Sequence, residues 1–70
     1  MIAGFLFKEY EVNERGVVTG YKIIFNGEQI ATMEYRNDCW IGAVTKDIKI
    51  MTKLDSSVMR VADWIINESV

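Results

Sequence analysis

The dipeptide Asn26-Gly27, set between two segments rich in β-branched and aromatic residues, constrains this chain more than any other feature. A two-residue type I′ hairpin turn needs positive φ at both central positions, and Asn-Gly tolerates that best. Residues 17–25 and 28–36 are therefore predicted to pair antiparallel. With Phe25 facing Glu28, strict alternation sets Ile23 opposite Ile30, Tyr21 opposite Thr32 and Thr19 opposite Glu34.

The same logic extends outward. Residues 2–12 read as a first strand, closed by the polar loop Asn13, Glu14, Arg15 and Gly16. Asn37-Asp38 is a second turn candidate and leads into residues 39–44. Residues 46–53 admit two readings: Ile48 and Ile50 alternate as in a strand, while Val44, Ile48 and Met51 fit a helical stripe. The β-branched content favours a strand. Near the C-terminus, Asp55 is placed to cap a helix by accepting from Ser57 or Val58, with Leu54 and Met59 as a hydrophobic staple. Val58, Val61, Ala62 and Ile65 form its apolar stripe, flanked by Met59 and Ile66 on one side and Trp64 on the other. The predicted fold class is α+β: an antiparallel β-meander of four strands, five with residues 46–53, followed by one C-terminal α-helix packed on one sheet face. One small domain spans residues 1–70.

Half of the 70 side chains are hydrophobic, yet a core of this size seldom yields more than about 3–5 kcal/mol. Cys39 is the only cysteine and histidine is absent, so neither an intrachain disulfide nor an N/S-ligated zinc site can supply the difference. No metal and no cofactor is expected; a partner subunit remains. Eight Lys/Arg against ten Asp/Glu leave a net charge of −2, too weak to name a partner. The uncharged start lacks the basic region and cleavage site of a signal peptide. No run approaches the ~20 apolar residues of a membrane helix, and a lone cysteine suits a reducing compartment. A cytoplasmic protein is expected.

If the first hairpin closes with Val12 opposite Val17, one sheet face collects Leu6, Tyr10, Val12, Val17, Tyr21, Ile23, Phe25 and Ile30. The other collects Phe5, Phe7, Val18, Ile24, Ala31, Met33 and Tyr35, interrupted by Lys22, Glu9 and Glu11. A helix of about 13 residues spans roughly 20 Å and covers one face only. Leaving three large side chains exposed on the second forgoes about 1.5–3 kcal/mol each. The second face, with Phe5, Phe7, Lys22, Ile24, Met33 and Tyr35, is thus the expected partner surface, and Trp40 a candidate anchor.

Catalysis has little support. Without histidine, the usual activator of a Ser or Cys nucleophile is missing, and the dispersed glycines form no phosphate loop. Cys39 reads as a small buried hydrophobe. Lys46, Lys49 and Lys53 form a basic cluster that either grips phosphate or protects a sheet edge; as one strand, Lys49 and Lys53 would point away from Lys46. The expected function is a non-enzymatic protein-binding module whose partner is a second copy (a homodimer), a target, or both. A small acidic chain of this kind is similar in general character to accessory and inhibitor proteins of bacteriophages and mobile elements, which occlude a surface of a larger host complex. The alternative is a single-stranded nucleic-acid binder. A meander followed by a C-terminal helix resembles the coactivator-type single-stranded DNA binders, and Phe5, Phe7 and Tyr35 near Lys22 would form a stacking platform. Those proteins line the groove with Lys and Arg, whereas this chain is net negative and carries Glu9 and Glu11 on the same face.

Overall fold

The computed structural model describes residues 4–69. Five strands, β1 (Phe5–Val12), β2 (Val18–Phe25), β3 (Glu28–Arg36), β4 (Cys39–Lys46) and β5 (Lys49–Asp55), precede one helix, α1 (Val58–Ser69). The strands form one antiparallel sheet in sequential order. The predicted α+β meander and C-terminal helix are what the chain forms. Residues 46–53 are extended, but a turn at Asp47 and Ile48 divides them between β4 and β5. Ile2, in the expected first strand, lies outside the described residues.

Both predicted two-residue turns have the left-handed backbone of type I′: Asn26 and Gly27 have φ of 52° and 81°, Asn37 and Asp38 of 52° and 63°. Asp38 occupies the second central position, where glycine relieves left-handed crowding. That gain exceeds the extra unfolded-state entropy glycine brings. Asp38→Gly is expected to raise stability by about 0.5 kcal/mol, measured as a higher urea midpoint at unchanged slope.

Register departs from the sequence expectation in one decisive way. Phe25 faces Glu28 as expected, but Ile24 then faces Gln29 and Ile23 faces Ala31, leaving Ile30 as an extra residue in a β-bulge. Beyond the bulge every cross-strand pair shifts by one: Tyr21 faces Met33, not Thr32, and Gly20 faces Glu34. The first hairpin also closes one residue later, with Val12 opposite Val18, Phe7 opposite Ile23 and Leu6 opposite Ile24. Because the side-chain period is two, a one-residue slip exchanges faces. Phe5, Phe7, Ala31, Met33 and Tyr35 therefore share a face with Tyr21, Ile23 and Phe25, and this is the face α1 covers. Leu6, Lys22 and Ile24 lie on the open face.

The core is Phe5, Ile23, Ala31, Met33, Val44, Val61 and Ile65. Phe5 stacks on its cross-strand partner Phe25 with ring centroids 4.5 Å apart. Val61 and Ile65 are the buried residues of the predicted helical stripe. They seat on Gly42 of β4, where an added Cβ would come within 2.6 Å of Val61 Cγ1.

The helix start differs in detail. Ser57 is the cap: its Oγ accepts from the Arg60 amide at 3.4 Å and its carbonyl accepts from the Val61 amide at 3.3 Å. Asp55 sits two residues earlier and accepts from the Ser57 amide at 2.8 Å, an Asx-type turn that aims the chain into the helix. Leu54 and Met59 stay 62% and 66% exposed and form no buried staple, because Leu54 pairs with Ile41 on the open face. Lys46 faces Lys49, and Lys53 faces Gly42, so all three lysines lie on the helix side. The intervening turn brings Lys46 round to the side of Lys49. Lys46 Nζ donates to the Glu68 carbonyl at 3.4 Å, placing a cation at the negative end of the helix.

Candidate functional site

The backbone of α1 lies closest to β4, β5 and β3, and its buried residues Val61 and Ile65 share one core with Ile23 of β2 and Phe5 of β1. The sheet is wider than one helix, so beyond the buried Ile23, part of the helix-side surface, around Phe7 and Tyr21, is left beside α1 as an apolar groove of about 540 Å³. Its floor is Phe5, Phe7, Tyr21 and Met33, with Leu6 at the β1 edge; Phe5 and Phe7 alternate along β1, and Tyr21 and Met33 are cross-strand partners in the row Glu9–Tyr21–Met33. Its wall is the flank of α1, with Val58, Met59, Ala62 and Ile66 one or two turns apart. Asp63 is the one charged group in the lining, and Glu9 stands at the outer end of the Tyr21 row. A concave site of this size, mostly apolar with few polar groups, is of the kind that takes a ligand or a partner's side chains.

The sequence-predicted residues divide among three places. Phe5, Phe7 and Met33 meet at the groove, but Phe5 is 5% and Met33 0% exposed, so these two support the floor from the core, a correction that follows from the bulge. Phe7 is half-buried. Tyr35 and Trp40 lie at one end of the same face, where Trp40 packs 5.9 Å from Tyr21 and 5.5 Å from Tyr35 between ring centroids. Trp40 is half-buried against the core. Lys22 and Ile24 lie on the open face, away from Phe5 and Phe7, so the structure does not assemble the stacking platform of Phe5, Phe7 and Tyr35 near Lys22. Sequence reasoning placed no binding role on Tyr21, Val58, Ala62 or Ile66. The legible signal for them was only that one helix is narrower than the sheet.

The open face is polar over β1 to β3. The Tyr10 hydroxyl donates to the Glu34 carboxylate. Arg36 donates from both Nη atoms to Glu11, at 2.8 and 3.0 Å, and Thr19 Oγ1 donates to Glu11 at 2.9 Å. Lys22 Nζ stands 5.3 Å from the centre of the Tyr10 ring. The bond to Glu34, then burial, then the Glu34 charge push the Tyr10 hydroxyl from 10.0 up to about 12. Hydrogen bonds from Arg36 and then Thr19 hold the Glu11 carboxyl below its ordinary 4.5. Each shift fixes a pH window. A raised folded-state value means that Tyr10 contributes fully below pH 10.0 and its contribution is lost as pH rises toward about 12. Glu11 contributes above pH 4.5, and that contribution is lost as pH falls below it. Tyr10→Phe is expected to flatten the alkaline fall of the urea midpoint and to remove the step near pH 12 from the ultraviolet tyrosine titration. Toward β4 and β5 the open face becomes apolar, with Ile41 paired to Leu54, and Ile50 71% exposed.

Among the described residues, no group of three His, Cys, Asp or Glu side chains could hold a metal ion. Likewise, no helix there is long and apolar enough to cross a membrane. No family model matches the chain, and comparison with curated proteins and with solved structures finds none similar to it.

Proposed function

We propose that this chain is a cytoplasmic, non-enzymatic protein-binding module of the accessory or inhibitor type, which occludes a surface of a larger complex by seating part of it in the groove beside α1. One observation carries the reading: the groove has an apolar floor and an apolar wall, and the described chain supplies nothing to fill it. Exposed apolar concavities of this extent on small domains mark interaction sites. Phe7, Tyr21, Met59 and Ala62 are the groups a partner would touch, and Phe5 and Met33 hold the floor in place.

The test separates binding from folding. Met59 is 66% exposed, so Met59→Glu is expected to keep native far-UV circular dichroism and urea midpoint. It should nevertheless lose the proteins that the native chain retains from its source cell, as identified by mass spectrometry. Phe7→Glu should do the same with some loss of stability. Variants that retain the same proteins as the native chain would refute the assignment.

A further inference from the structure

We infer that the groove accepts a single amphipathic α-helix of a partner protein, one with an apolar stripe and Lys or Arg at its margins, lying alongside α1 on the same sheet face. This rests on the protein-binding reading and specifies its partner. The first argument is width. Five strands spaced about 4.8 Å apart present a face roughly 20–24 Å across, and a helix with its side chains is about 10 Å in diameter. The face therefore has room for two helices. α1 fills one place, closest to β3 to β5 and reaching far enough to bury Ile23, and the other, between its flank and Phe7 and Tyr21, is the groove of about 540 Å³.

Shape and chemistry agree. The wall residues Val58, Met59, Ala62 and Ile66 run along the helix axis, as a neighbouring parallel or antiparallel helix requires for ridges to enter grooves. The charge in and beside the groove has one sign: Asp63 in the lining and Glu9 at the end of the Tyr21 row, with no Lys or Arg in the lining. Basic margins on the occupant complement it and acidic margins are repelled. A second copy offers the apolar flank Val58, Met59, Ala62 and Ile66, but that flank carries Asp63, so acid would meet acid in the groove. The apolar stripe of α1, Val61 and Ile65, is already buried on its own sheet, and its outer side carries Arg60, Asp63 and Asn67. An extended strand added to the β1 edge would instead bond to backbone and leave the groove unfilled.

The deciding experiment is selection of random peptides of about 16 residues, roughly four helical turns, on the immobilised intact protein, with Met59→Glu and Phe7→Glu as counter-selection baits. Enrichment of apolar residues at i, i+3, i+4 and i+7 with flanking Lys or Arg, absent on the variant baits, is the expected result. The best peptide should become helical on binding, and Asp63→Asn should weaken it about two- to fivefold. Period-two alternation or acidic flanks in peptides still lost on both baits would overturn the helical partner and leave the groove reading standing. Peptides retained equally on both baits, or no enrichment over them, would overturn both.

Discussion

Met33→Ala is expected to lower stability by about 2–5 kcal/mol, enough to unfold much of the population of a domain whose whole margin is of that order. Met33 is completely buried. It faces Tyr21 on one side and Gly42 on the other, beneath the helix, so truncation leaves a cavity that two neighbouring strands and α1 cannot all close. A urea titration reads the loss directly. The outcome also separates two accounts of this residue. On the sequence register Met33 is a surface contact, and truncating it would weaken binding while leaving stability within about 0.5 kcal/mol of native. On the bulged register it is core. A native urea midpoint for Met33→Ala would contradict the structure.

Gly42→Val is expected to destabilise by about 3 kcal/mol, with Gly42→Ala intermediate. The reason is the seat of the helix. A Cβ at this position would lie 2.6 Å from Val61 Cγ1 and 3.4 Å from Ile65 Cδ1. Both neighbours are completely buried, and a β-branched valine has little rotamer freedom with which to yield. Strand propensity works the other way, since replacing glycine in a strand gains about 0.5–1 kcal/mol, but the clash exceeds it. Coupling gives a sharper reading: in a double-mutant cycle, Gly42→Ala and Val61→Ala should interact by about 1–2 kcal/mol in the compensating direction. Additive effects would mean that α1 is not seated on β4 at this point.

These two residues also show where the sequence was readable. Asn26-Gly27 and Asn37-Asp38 announce their turns because few residues tolerate two successive left-handed positions. The alternation around them marks the strands, and β3 has the predicted bounds, Glu28–Arg36. The stripe Val58, Val61, Ala62 and Ile65 fixes which side of α1 is buried. The bulge at Ile30 carries no such mark: it has neither glycine nor proline, and isoleucine is as welcome in a regular strand as in this one. That single extra residue moves Ala31 and Met33 to the covered face. The groove was illegible for a different reason. It arises from where α1 lies across the sheet, which depends on the close approach of Val61 to Gly42, and in one dimension Gly42 is merely a glycine among dispersed glycines. What the sequence did convey, an apolar surplus beyond the reach of one helix, is found on the covered face beside α1 as well as on the open one.

The most direct measurement of the central claim is the set of intermolecular nuclear Overhauser contacts between the isotope-labelled protein and an unlabelled bound peptide or partner. Contacts from the ligand to Phe7, Tyr21, Met59 and Ala62, with none to Ile41, Ile50 or Leu54, are predicted. Contacts to those open-face residues, with the groove silent, would contradict it.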